Sequence, residues 1–308
     1  MSENNLLRGI SDNGGVVFYG IDSTDIVREM ERLHKTSAVT TAALGRLLTA
    51  AAMMGAMLKG SRDTVTLQIN GGGPAGRLLA VADGAGHVKG YVQNPVVELP
   101  PRADGHLDVG AAVGTDGTLD VIRDLGLREP YIGQVPLVSG EIAEDVTRYF
   151  AVSEQTPSVC ALGVLVNADL SVQCAGGFIL QLLPGATEEE ITRLEANIKA
   201  MPAVTAMLSE GKTVRDMLDL ALAGFEPDVL DTAPAVYRCD CSEERVHRML
   251  RNLGRKEVER LRDEDPHAEV DCQFCDKVYR VDLNDLLAAW PETPQAEGEP
   301  ETGAAAQE

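Results

Sequence analysis

Residues 64–93, TVTLQINGGGPAGRLLAVADGAGHVKGYVQ, decide the fold class. Within them Gly71-x-Gly73-x-x-Gly76 matches the dinucleotide-binding fingerprint letter for letter, and a true fingerprint would make the chain a doubly wound α/β protein. The fingerprint requires a helix after its last glycine. Here Pro74 interrupts it, and Arg77 to Asp83 carries the two-residue alternation of a strand, so the glycines read as a turn between the antiparallel strands Thr64 to Asn70 and Arg77 to Asp83. His87 to Gln93, Leu119 to Asp124 and Gln134 to Val138 alternate in the same way, and Val159 to Asn167 with Ser171 to Leu183, joined by Ala168-Asp169, read as a further hairpin. Asp22 to His34, Ser37 to Lys59 and Glu141 to Phe150 read as helices; Ser37 stands at an N-cap, Gly60 just past the end, and Gly45 and Gly55 point to close backbone packing. The expected fold is α+β, an N-terminal domain (1–184) of mainly antiparallel sheet packed with helices.

Beyond Pro184-Gly185 the period changes. Ile191, Leu194 and Ile198 form one stripe of a helix over Thr187 to Ala200, opened by a Thr187/Glu190 capping box, and Thr213 to Ala223 continues in short helical pieces broken by Pro202 and Gly211. Residues 185–235 are expected to be a helical, metastable connector without a large core of its own. Residues 236–290 hold four clustered cysteines and form the expected C-terminal zinc-binding domain, and 291–308, rich in Pro, Glu, Gly and Ala, is an expected disordered acidic tail.

With 308 residues, 27 Lys and Arg, and 48 Asp and Glu, the chain has a net charge of −21, of which −16 falls after residue 150. Such a surface repels phosphate backbones and anionic lipid, so neither nucleic acid nor membrane is an expected partner. The opening MSENNLLRGI has no signal-peptide character, and the cytoplasm is the expected compartment. Ala38 to Leu58 is long enough to span a bilayer, but it is rich in Ala and Thr and carries Arg46, so it is expected to be a buried core helix. Gly211-Lys212-Thr213 imitates the end of a phosphate-binding loop, yet Ala206 stands where the opening glycine belongs. No Gly-x-Ser-x-Gly elbow or zinc-protease spacing appears, and no enzymatic activity is expected.

Of six cysteines, Cys160 and Cys174 sit in apolar strand-like runs and read as structural thiols. The other four form Cys239-Asp240-Cys241, thirty intervening residues, and Cys272-Gln273-Phe274-Cys275. Four thiolates close a tetrahedral zinc shell with bonds of about 2.3 Å, and each close pair clamps one side of the ion at little loop-closure cost. One Zn2+ on Cys239, Cys241, Cys272 and Cys275 is the expected cofactor. Thiolates are also what oxidants attack, and each pair is near enough in sequence to form a disulfide once the metal leaves. Cys-x-Cys is less usual than Cys-x-x-Cys in a static zinc ribbon, which favours a redox switch over a purely structural site.

With these cysteines on the page, the sequence resembles the redox-regulated 33-kDa heat-shock chaperone family. The resemblance runs from about Leu6 to Trp290 through LGRLLTAA (44–51), LQINGGGPAGRLLAVADGAGHVKGYVQNP (67–95), YIGQVPL (131–137), YFAVSEQTPS (149–158), GGFILQLLPGA (176–186), CDCSEERV (239–246) and EVDCQFCDKVY (269–279). It implies an ATP-independent holdase held inactive by zinc in the reduced form. Oxidation would release the zinc, pair Cys239 with Cys241 and Cys272 with Cys275, unfold the connector, and yield a dimer that binds unfolded client proteins under oxidative stress and heat.

Two other readings compete. A zinc-ribbon regulator could contact nucleic acid through Arg245, Arg248, Arg251, Arg255, Lys256, Arg260 and Arg262, although these lie among many acids. Thiol-disulfide exchange at Cys272-x-x-Cys275 would need a thioredoxin-like βαβ frame, which the flanking sequence does not supply.

Overall fold

The computed structural model describes residues 5–290, and contacts divide the chain into two units: one running to Cys239 and including Gln273–Asp276, the other holding Asp240–Cys272 and the chain from Lys277. The tail 291–308, expected to be disordered, lies outside the described residues.

The first unit opens with the hairpin β1 (Leu6–Ser11) and β2 (Val16–Asp22), then helices α1 (Thr24–His34) and α2 (Ala38–Gly55). Strands β3 (Thr64–Asn70), β4 (Leu78–Asp83) and β5 (His87–Val92) follow, then α3 (Val109–Val113), β6 (Thr118–Asp124), β7 (Tyr131–Pro136), α4 (Ala143–Val152), β8 (Ser158–Val166) and β9 (Val172–Leu182). Helices α5 (Glu188–Ala200), α6 (Val204–Ser209) and α7 (Val214–Ala221) and strands β10 (Pro227–Ala233) and β11 (Val236–Tyr237) complete it. These make two sheets, ordered β10-β1-β2-β9-β8 and β11-β5-β4-β3-β6-β7. Within them the described strand pairs are antiparallel, except that β11 runs parallel to β5. The α+β expectation is met.

Helix α2 packs against strands of both sheets, which explains its composition. A helix with sheet on two sides needs apolar residues all round and small ones where backbones approach. All its residues but Ala38 and Arg46 are buried, and a Cβ on Gly45 would come within 2.9 Å of Val27 Cγ1 and 3.0 Å of Val164 Cγ2. It is the one described helix long and apolar enough to cross a bilayer, and it is buried in the core. Arg46 is compensated by an ion pair with Glu141, Nη1 to Oε2 at 2.5 Å, while its Nε is buried without a partner. Two details differ from expectation. The Ser37 hydroxyl donates to the Val97 carbonyl at 2.7 Å instead of capping the helix, and the helix ends at Gly55, short of Lys59, where the chain must pass Ala82 and Asp83.

The fingerprint glycines lie in the β3–β4 connection. Gly73 N–H donates to the Val113 carbonyl and Ala75 N–H to that of Ala112, both at 2.9 Å. A Cβ on Gly71 or Gly73 would lie 2.3 or 2.4 Å from a backbone oxygen of Gly114 or Ala112. These glycines serve backbone against backbone, with no helix behind them to receive a phosphate.

Residues 185–235 depart further from expectation. Three helices form there, with the Thr187/Glu190 capping box in place and a second one at Thr213/Asp216, but Pro227–Ala233 is strand β10, paired with β1. The segment also has more core than its sequence suggests. Leu194, Met207, Met217, Leu218, Leu222 and Phe225 are buried against Val16, Phe18, Phe178 and Leu180 of the five-stranded sheet. The core is shared with the sheet, which is why the segment read alone looked thin.

The second unit contains α8 (Glu243–Asn252), α9 (Arg255–Glu264), the antiparallel pair β12 (His267–Asp271) and β13 (Val278–Asp282), and α10 (Leu283–Ala288). Its core is small: Val246, Leu250, Val258, Tyr279, Val281, Leu283, Leu286 and Leu287. Met249, Leu253 and Val278 are exposed, and Tyr237 and Phe274, which fall in the expected 236–290 domain, belong to the first unit.

Because Gly45 has no room for a side chain, Gly45→Leu is expected to destabilise the first unit by about 3 kcal/mol or more, through overpacking of both neighbours. Denaturant unfolding at equilibrium would read this directly; an unchanged midpoint would contradict the packing of α2.

Candidate metal centre

Strand β11 hydrogen-bonds alongside β5, with Arg238 N–H donating to the Val88 carbonyl at 2.9 Å, and so delivers Cys239 at a fixed place. Cys241 follows just before α8, whose first turn is capped by the Ser242 hydroxyl accepting from Arg245 N–H. The second pair sits in the turn joining β12 to β13. Cys272 N–H donates to the Lys277 carbonyl at 3.0 Å, and Asp276 adopts φ +56°, the left-handed conformation that short polar side chains tolerate.

These local structures bring the four predicted thiols together. The Sγ atoms of Cys239, Cys241, Cys272 and Cys275 all lie within 4.8 Å of one another, and each residue is half-buried. A tetrahedral thiolate shell with bonds of about 2.3 Å has sulfur–sulfur edges of about 3.8 Å, so the group fits a metal ion with sub-ångström contraction. The Tyr279 hydroxyl donates to Cys241 Sγ at 3.0 Å, an outer hydrogen bond that favours the thiolate and fixes its orientation. The sequence alone does not reveal this role; its one signal is the position of the tyrosine four residues after Cys275.

Cys160 and Cys174 are held apart from this chemistry. Both are buried thiols on β8 and β9. Burial pushes the Cys160 thiol far above its ordinary range; Cys174 is raised too, by burial first and by the Asp22 carboxylate second. Their thiolate fraction at neutral pH is negligible.

The arginines of α8 and α9 form ion pairs along the helices: Arg245 with Asp240, Arg248 with Glu244, Arg255 with Glu259, and Arg260 with Glu257 and Glu264. These pairs make a salt-bridged, solvated surface on which these four candidate basic residues are each matched by a nearby carboxylate.

Fold and site together define an α+β protein whose C-terminal segment carries four cysteines able to hold a metal ion, and comparison with known proteins supplies the family. The model for the Hsp33 protein family matches residues 4–282. The chain is 52% identical over 282 residues to the 33 kDa chaperonin of Clostridioides difficile (strain 630), covering 92% of this chain and 97% of that one. It is 46% identical to the 33 kDa chaperonin of Clostridium perfringens (strain SM101 / Type A), covering 91% and 89%. The crystal structure of the 33 kDa chaperonin (heat shock protein 33 homolog) from Thermotoga maritima superposes with a TM-score of 0.85 at 38% identity, covering 93% of this chain and 98% of that one. The chain therefore belongs to the Hsp33 family, and is a chaperone by that membership.

Two outcomes are expected. Once metal is removed by chelator, a thiol-specific reagent should modify the four clustered cysteines first and leave Cys160, inside the β8–β9 hairpin, untouched until denaturant is added, as peptide mapping would show. Tyr279→Phe, which removes only the hydroxyl facing Cys241, should weaken metal binding by about tenfold in chelator competition while leaving four ligands.

Proposed function

We propose that this chain is a redox-switched, ATP-independent holdase. The observation that carries the reading is the convergence of four half-buried thiols from two short stretches of sequence on a segment with a small core. Zinc, when bound, would supply most of the folding free energy of residues 236–290, on the order of 10 kcal/mol. Cys239, Cys241, Cys272 and Cys275 are the ligands, one ion per reduced chain.

Hydrogen peroxide is a sufficient oxidant. Each thiolate pair, Cys239 with Cys241 and Cys272 with Cys275, gives up two electrons as its S–S bond forms; one peroxide takes them with two protons and leaves as two waters. Sulfurs tied up as disulfides no longer ligate, so the ion departs and the small core is left to hold residues 236–290 alone.

The consequence travels along the chain. Cys239 lies two residues beyond β11, and the preceding Ala235 is gripped by the Asn5 side chain, which donates to its carbonyl at 3.0 Å and accepts from its N–H at 2.7 Å. Loosening there frees β10 from β1 and then residues 185–235, read as the metastable connector between a core of 1–184 and a zinc-binding domain of 236–290. Peeling that connector away uncovers two apolar faces at once, its own Leu194, Met217 and Leu222 and the sheet's Phe18 and Phe178, as a surface for unfolded clients. The oxidised form would associate as a dimer, and the cytoplasm is the compartment in which the thiols would rest reduced.

Zinc content, thiol count and client aggregation measured together before and after peroxide test the reading. One zinc should leave as four thiols disappear, and suppression of a heat-unfolding client should follow without added nucleotide. Equal suppression by the reduced, metal-loaded protein would defeat the proposal.

A further inference from the structure

The loop between Cys272 and Cys275 contains one aromatic ring, and we infer that Phe274 is a positioning residue that sets how readily the four thiols yield to oxidant. This rests on the reading of those thiols as a switch. The ring meets Tyr91 edge to face, with centroids 5.5 Å apart and planes at 74°, and Lys89 Nζ stands 5.1 Å from its centroid. Lys89 and Tyr91 are two residues apart on β5 and so present their side chains on one face.

The backbone of the loop is tied as well. The Tyr237 hydroxyl lies 2.5 Å from the Phe274 carbonyl and 2.9 Å from that of Gly90, sharing its single proton between them, while His34 Nε2 stands 3.1 Å from the same oxygen. Tyr237 precedes Cys239 by two residues, and Phe274 adjoins Cys275. A single phenol thus joins the strand that delivers the first cysteine pair to the loop that carries the second.

Around these contacts the loop meets solvent. Gln273 and Asp276 are exposed and border a cavity of about 590 Å³ that His34, Arg77 and Gln93 also line, with Asp276 3.7 Å from His34 Nδ1. Phe274 contributes both a ring contact with Tyr91 and a carbonyl bound by Tyr237. A disulfide bond is about 2.05 Å long with a torsion near 90°, so the free thiols of Cys272 and Cys275 must turn toward one another across that loop in order to pair. A ring seated on Tyr91 and a carbonyl held by Tyr237 oppose that movement. Their release is a local opening that precedes chemistry.

Phe274→Ala in the full-length chain is the test, with Tyr237→Phe as a second variant that keeps every ring and all four thiols, and Phe274→Tyr as the conservative rescue. Metal stoichiometry by chelator titration, thiol reaction rate under peroxide and hydrogen exchange of residues 234–239 are read side by side. Phe274→Ala is expected to hold one metal ion yet lose its thiols on the order of tenfold faster, with faster exchange confined to 234–239; Tyr237→Phe should move both rates in the same direction, and Phe274→Tyr should return them to the parental value. If Phe274→Ala cannot be metal-loaded, the rates of Tyr237→Phe decide. Parental thiol and exchange rates in the metal-loaded variants would overturn the inference. Failure of the switch reading looks different: the parent itself would take peroxide and show no gain in client binding, whatever the variants do.

Discussion

One shared core carries the greatest consequence in this structure. The helices of residues 185–222 do not pack on one another to make a domain; they bury Leu194, Met207, Met217 and Leu222 against Val16, Phe18, Phe178 and Leu180 on the five-stranded sheet. Neither side is satisfied without the other. In the proposed switch such a contact would hold while the chain at its far end is held and would expose two complementary apolar faces when it is not, linking the stability of the C-terminal segment to the surface chemistry of the sheet. Strand β10 and the Asn5 grip on Ala235 are the intermediate fastenings, and they lie between the shared core and Cys239 in sequence.

The same chain separates its thiols by environment. Cys160 and Cys174 lie in a strand pair where burial suppresses ionisation, while the other four stand half-buried at chain turns, where the hydroxyl of Tyr279 supports negative charge on Cys241. Reactivity is thereby expected at the four clustered cysteines, the ones assigned to the proposed switch. A thiol inside the β8–β9 hairpin could be oxidised only by disrupting the sheet that the connector covers. Its inertness keeps the two events distinct.

Legibility from sequence followed burial geometry. Strands β3, β4 and β5 alternate buried and less buried residues, so period two was visible and their bounds were read to within a residue. The β1–β2 hairpin was not read at all. Strand β2 lies mid-sheet, with α2 and the other helices on either face and Phe18 through Ile21 all buried, so it has no polar face to reveal a period. Strand β10 failed for the opposite reason: as an edge strand it is nearly all exposed, with Asp228 and Asp231 outward, and its partner β1 is more than 200 residues away. The four thiols were legible because metal ligation depends on residue type and spacing, which sequence displays. Tyr237, Phe274 and His34 were not, because their roles arise from positions more than 30 residues apart meeting at one hydroxyl.

Charge completes the physical picture. Helices α8 and α9 have little apolar surface to bury, yet they are laced with i,i+3 and i,i+4 pairs such as Arg260 with Glu257 and Glu264 and Arg255 with Glu259. Such pairs add only a few tenths of a kcal/mol each, and they are made within a helix rather than between elements. They favour helix locally while doing little to fix tertiary structure. A segment built in this way depends on its small core and its thiols for a defined fold. In the proposed switch, loss of those would leave a highly charged, acidic segment attached to a newly uncovered apolar face, a combination suited to keeping a bound unfolded protein in solution.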